Sequence, residues 1–88
     1  MRLVLDVDMY YRRLAHHERR DIDAWVDSLP GGFLDRGLRE VAVTGEGEVT
    51  FRCIDEAASR GKGDVVTYTE TVAVPIPPPY LDRFEPQP

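Results

Sequence analysis

The spacing of apolar residues predicts a strand followed by an amphipathic helix at the start of the chain. Residues 2–7 alternate in the manner of a short strand, with leucine and valine on one face. Residues 9–29 contain neither glycine nor proline, and their apolar members fall on one side of a helix. Asp8 is placed to cap this helix, and Pro30 with the two glycines after it ends the helix. The apolar side comprises Tyr11, Leu14, Ala15, Ile22, Trp25, Val26 and Leu29.

The other side of the predicted helix is charged. An interruption near His17 is an alternative to one continuous helix, and Glu18 breaks the pattern because it falls within the apolar side. Arginines precede the aspartates along this side, which opposes the helix dipole and indicates external or cross-sheet partners. The charged side comprises Arg12, Arg13, His16, Arg19, Arg20, Asp23 and Asp27.

Alternating residues predict three further strands in the second half of the chain. Residues 38–44 and 48–54 form a hairpin, because their valines and Phe51 match across the glycine-rich turn at 45–47. A polar loop over 55–64 leads into a β-branched final strand over 65–74.

Together these elements predict an α+β fold in the order β-α-β-β-β. One amphipathic helix covers one face of a small, mainly antiparallel sheet, forming a single domain over 1–74 with a proline-rich tail over 75–88. The other face of the sheet is polar. The final strand is long enough to pair with a second copy of the chain, so we expect a homodimer, formed through either an edge or a face of the sheet. The polar face carries Glu40, Thr50, Arg52, Thr67, Thr69 and Thr71.

The last fifteen residues contain six of the seven prolines and are predicted to be a docking segment. Proline lacks an N–H and has a fixed φ, so 75–79 favours polyproline II and excludes helix or interior strand. The run from Pro77 to Tyr80 also matches the PPxY ligand of WW domains. Packing on the domain itself or on a dimer mate is the favoured interpretation. The predicted contact residues are Ile76, Tyr80, Leu81 and Phe84.

The charge and composition of the chain disfavour several classes of function. The net charge of −5 disfavours bulk attraction to nucleic acid or anionic lipid and favours a protein partner. No apolar run is long enough to span a bilayer, and the first residues do not resemble a secretory signal, so we expect a cytoplasmic protein. Cys53 is the only cysteine, which excludes an intramolecular disulfide.

The arginines of the predicted helix are the strongest argument for nucleic-acid binding. Arg12, Arg19 and Arg20 could contact phosphates from one helical face. Asp23 and Asp27 share that face, however, and prevent a uniformly positive surface. Nucleic-acid binding is therefore the second function class.

Carboxylates suggest a third class, a small metal-dependent hydrolase. The segment LVLDVD, which ends at Asp6 and Asp8, resembles the first motif of the haloacid dehalogenase phosphatases. That fold needs more strands and motifs than a chain this short provides. His17 and Asp21 have helical spacing for sharing an ion, but two ligands make a weak site. We therefore predict no catalytic, cofactor or metal site and no enzymatic activity.

In overall character the chain resembles the small accessory proteins of actinobacterial phages. The resemblance lies in its size, its arginine bias and the style of the segments LPGGFLDRGLREVAVTGEGEVTF and TETVAVPIPPPYLDRF. It implies a protein in the host cytoplasm that binds or modulates a host protein. The leading prediction is a non-enzymatic, homodimeric interaction module.

Overall fold

A computed structural model describes residues 2–8, 11–61 and 63–87 of the chain. It confirms a small α+β fold in which one helix packs on an antiparallel sheet, and the sheet has five strands in the order β4-β3-β2-β1-β5. The elements are β1 (Arg2–Asp6), α1 (His16–Asp27), β2 (Leu38–Gly45), β3 (Glu48–Ile54), the single helical turn α2 (Glu56–Ser59), β4 (Thr67–Ala73) and β5 (Glu85–Gln87).

The helix is shorter than predicted. Residues 11–13 form a separate 3₁₀ turn, and α1 begins at His16 after Ala15, whose backbone is extended. The prediction that Asp8 caps the helix is therefore wrong, since Asp8 lies seven positions before Ala15. The predicted helix start at Met9 lies outside the described residues.

The predicted hairpin of β2 and β3 is confirmed, with Val43 opposite Val49 and Val41 opposite Phe51. Gly47 in its turn has φ of 72°, a conformation that favours glycine. The polar loop that follows contains α2, because the Asp55 carboxylate accepts a hydrogen bond from the Ala58 N–H. β4 is shorter than the predicted 65–74 strand.

The predicted strand order omits β5, which is formed by the tail. Pro86 of β5 lies opposite Leu3 of β1. Proline removes one backbone donor, which an edge strand tolerates because only one of its sides is paired. The tail therefore completes the sheet at the edge opposite β4.

The core lies between α1 and the sheet. Trp25 is 9% exposed, as the helical pattern predicts, and its ring lies 6.1 Å from that of Phe51. Phe33, from a 3₁₀ turn over Phe33–Arg36, stacks on Phe51 with ring centroids 4.3 Å apart. Cys53 is fully buried in the same cluster.

Candidate functional site

The outer edge of β4 is an open sheet edge. The Asp55 N–H donates to the Val66 carbonyl and the Val74 N–H donates to the Gly47 carbonyl, so even-numbered positions of this segment face β3. Backbone groups alternate in direction along a strand, so the intervening residues direct their N–H and C=O outward. No strand of the described chain pairs with that side. The outward-facing residues are Thr67, Thr69, Thr71 and Ala73.

The two edges of the sheet differ in how they resist pairing. β5 is three residues long and contains Pro86, which lacks a donor. β4 has seven residues, no proline, no lysine and no register shift against β3. Only β4 is therefore a good template for another strand.

The side chains of β4 give its two faces different chemistry. On the helix side, Glu70 accepts a 2.5 Å hydrogen bond from Arg36, whose guanidinium lies 4.7 Å from the centre of the Phe33 ring. Tyr68 and Glu70 together raise the pKa of Arg36. On the other side, the Thr71 hydroxyl lies 2.7 Å from that of Thr50. The edge is thus polar without carrying an unpaired charge.

The tail packs on its own domain. The Trp25 indole N–H donates to the Ile76 carbonyl at 2.9 Å, and the Tyr80 hydroxyl donates to Asp21 at 2.6 Å. This bond to Asp21 is the main reason that the pKa of Tyr80 is raised. Tyr80 has a left-handed backbone with φ of 59°, which is costly for a residue other than glycine, so the surrounding contacts must hold it.

These contacts assign different positions to the predicted partner-binding residues of the tail. Phe84 is 4% exposed and belongs to the core, while Tyr80 is half-buried against the core. Leu81 is half-buried in a 3₁₀ turn, and Ile76 is 66% exposed. In this conformation Ile76 alone of the four offers a largely exposed apolar side chain.

The contacts of Glu18 explain why a charged residue lies on the apolar side of the helix. Its carboxylate is buried, and it accepts hydrogen bonds from the Ala15 N–H at 2.8 Å and from Arg83 Nε at 3.0 Å. The bond from Ala15 is the largest cause of its lowered pKa, and Arg83 adds to it against the opposing effect of burial. Glu18 thus starts α1 and also fixes the tail to it.

Replacing Glu18 by glutamine should destabilise the protein at neutral pH, and the loss should fade in acid. A carboxyl with a lowered folded pKa stabilises the fold above its unfolded pKa of about 4.3. That contribution disappears as the pH falls through the folded value. Urea unfolding of the unmodified protein and of Glu18→Gln, from neutral pH down to below the unfolded pKa of glutamate, measures whether their stabilities become equal in acid. Glu46→Gln in the exposed hairpin turn is the control. A stability gap independent of pH would contradict the role of the charge.

The predicted arginine face lies on two elements. Arg12 is on the 3₁₀ turn before α1, while Arg19 and Arg20 are on α1. Among the described residues, none of these three side chains forms an ion pair. Arg19 and Arg20 line a groove together with His16.

The pattern of apolar residues missed a contact in this groove, between Tyr11 and Asp23. The Tyr11 hydroxyl donates a short hydrogen bond to the Asp23 carboxylate. Burial first, and then this bond, raise the pKa of Tyr11 well above its usual range. The helical spacing assigned the two residues to opposite sides of one helix, and the break before His16 brings them together. The sequence indicates that break only through the alternative of a helix interrupted near His17.

Asp6 and Asp8, the carboxylates of the predicted hydrolase, contact other groups of the chain. Asp6 accepts a 2.9 Å hydrogen bond from the Asp8 N–H, and Asp8 pairs with Arg39. Within the described ranges, no three metal-binding side chains cluster. His17 contacts the Tyr80 ring edge-on, and Asp21 accepts the Tyr80 hydroxyl bond. Burial raises the pKa of the Cys53 thiol, which disfavours the reactive thiolate.

Comparisons with known proteins do not assign a family. No protein-family model matches the chain, and neither the curated proteins nor the solved structures contain a significant match. In the part of the chain that the structure describes, no helix is both long and apolar enough to cross a membrane.

Proposed function

We propose that this protein is a non-enzymatic interaction module that forms a homodimer through β4. The open outer edge of β4 is the observation that carries the proposal. Two such edges related by a twofold axis would join two five-stranded sheets into one antiparallel sheet. Backbone hydrogen bonds would supply the affinity, as in other cases of strand addition.

The sequence of β4 favours one register, in which Thr69 lies opposite Thr69 of the second copy. All residues with outward-facing backbone groups then pair with one another, Thr67 with Thr71 and Val65 with Ala73. On the helix side, Tyr68 lies opposite Glu70 of the second copy. Threonine pairs stabilise neighbouring strands, and no like charges meet.

Moving the centre of the pairing from Thr69 to a neighbouring residue, in either direction, makes the dimer less favourable. In one direction, Glu70 faces Glu70 of the second copy at a non-hydrogen-bonded position, where side chains are closest and like charges repel. In the other direction, Tyr68 faces its own copy and Glu70 lies opposite Val66. A register centred on Thr69 avoids both arrangements.

A cysteine introduced into β4 can measure the register, because the native Cys53 is fully buried. In the proposed dimer, Thr69→Cys brings two cysteines together with Cα atoms about 5.5 Å apart, within disulfide range. We expect this variant to form covalent dimers under mild oxidation, while Thr71→Cys, which faces Thr67, should form far fewer. Non-reducing gel electrophoresis checks this. Equal or absent cross-linking of the two variants would contradict the register.

Proline at the centre of the edge tests the dimer itself. Thr69→Pro removes an outward N–H that has no partner among the described residues, so the monomer should stay folded while the dimer is lost. Thr69→Val keeps the N–H and should remain dimeric. Light scattering at micromolar concentration should give the mass of one chain for the proline variant and of two chains for the valine variant. A single-chain mass for the unmodified protein would refute the proposal.

A homodimer of this kind would act by binding another protein. The resemblance to small accessory proteins of actinobacterial phages implies a host protein as that partner. Arg12, Arg19 and Arg20, which form no ion pair with any described residue, support nucleic acid as the alternative partner. Asp23 lines the groove beside Arg19 and Arg20, however, and the net charge is −5.

A further inference from the structure

An apolar cavity of about 260 Å³ lies between α1 and the sheet. Its size is near the lower limit of sites that hold small organic ligands. The cavity is separate from the open edge of β4 and has no role in the proposed dimer. Its apolar wall includes Leu5, Ile22, Val26, Leu34, Leu38 and Val41.

A cationic groove adjoins this cavity. His16, Arg19 and Arg20 line the groove, and Tyr11 and Asp23 line both the groove and the cavity. The hydrogen-bonded pair of Tyr11 and Asp23 therefore lies at the border of both spaces, and a ligand that extends from one into the other passes beside this pair. A molecule that occupies both spaces must be apolar at one end and anionic at the other.

The charges at the groove favour a single negative group. Arg19 and Arg20 make no ion pair with any described residue, so both guanidiniums can donate hydrogen bonds to an anion. Asp23 opposes them with one negative charge, and its carboxylate accepts the Tyr11 hydroxyl bond. Guanidinium groups match the planar geometry of a carboxylate and can bind it with two hydrogen bonds.

We propose that the cavity and the groove together bind a free straight-chain alkyl carboxylate, a short fatty acid. The alkyl chain occupies the cavity against Tyr11, Leu34 and Leu38, the more accessible residues of its lining. The carboxylate lies in the groove between Arg19 and Arg20. An inorganic anion would leave the apolar cavity unused, and a neutral alcohol would leave both arginines without a partner.

A series of carboxylates of increasing length tests this assignment. Binding of butyrate, hexanoate, octanoate and decanoate to the full chain is measured by calorimetry below their micelle-forming concentrations. Each methylene that enters the cavity should tighten binding about fourfold. The gain should stop once the cavity is full. Amide shifts on octanoate binding should centre on Asp23, Leu34 and Leu38.

Matched variants separate the groove from general charge. Arg19→Gln with Arg20→Gln should weaken octanoate binding about tenfold, since both positive charges beside the carboxylate are lost. Arg60→Gln with Lys62→Gln removes the same charge from the polar loop over 55–64, whose described residues line neither space, and should change the affinity less than twofold, roughly the effect of charges screened by salt.

A filling variant tests the cavity. Leu34 lines the cavity and is 38% exposed, so the larger side chain of Leu34→Trp can fill the cavity. Ile76→Trp adds the same ring to the exposed tail and is the control. Only Leu34→Trp should abolish the dependence of affinity on the length of the alkyl chain. Thermal unfolding checks that both variants are folded. The proposal is overturned if octanol or inorganic phosphate binds as tightly as octanoate. It is also overturned if no saturable binding occurs or if the control variants lose as much affinity.

Discussion

Replacing Phe84 by alanine is expected to lower the free energy of unfolding by about 3 to 5 kcal/mol. The Phe84 ring is 4% exposed and belongs to the main core cluster, although it comes from the proline-rich tail. Its removal leaves a cavity and also loosens the backbone that leads directly into β5 at Glu85. For a small domain, this loss is a large fraction of the total stability. Urea unfolding followed by tryptophan emission measures it.

Ile76→Ala is the matched control for Phe84→Ala. Ile76 is an apolar residue of the same tail but is 66% exposed, so its truncation should change stability by no more than about 0.5 kcal/mol. If the two variants had equally small effects, the tail would not be docked on its own domain. The tail would then be free to act as a ligand for another protein, which is the alternative interpretation of its prolines and aromatic residues.

Replacing Trp25 by alanine is expected to cost about 3 to 5 kcal/mol as well. Trp25 is nearly buried in the core beside Phe51, and it donates a 2.9 Å hydrogen bond to the Ile76 carbonyl. The substitution therefore removes a large apolar side chain and an attachment of the tail. Urea unfolding followed by far-ultraviolet circular dichroism measures the loss, since the fluorescent residue is absent.

Trp25→Phe separates the two contributions. It retains an aromatic ring in the core but removes the N–H, so part of its effect should be the roughly 1 kcal/mol of the hydrogen bond to Ile76. Its stability should lie between those of the unmodified protein and Trp25→Ala. A loss as large as that of the alanine variant would mean that the attachment of the tail, and not the ring, dominates.

Several parts of the fold follow from the sequence because local spacing determines them. The β2–β3 hairpin was predicted to within one residue, since alternating valines and a glycine turn leave one register that buries one face. Trp25 and Val26 were assigned to the buried side of α1 by helical periodicity. The polar outer face of the sheet followed from the same alternation in the threonines of β4.

Other parts depend on contacts between residues far apart in the chain, and only the tertiary structure decided them. The tail forms β5 because β1 offers it an edge, and no local pattern around Pro86 indicates that partner. Glu18 is buried because Arg83 reaches it from 65 positions away. The short segment before His16 leaves the helix and brings Tyr11 to Asp23, and this pair lines both the cavity and the groove. Local periodicity specifies which face of an element is apolar, but it does not specify which distant residue will satisfy a buried charge or cover an edge.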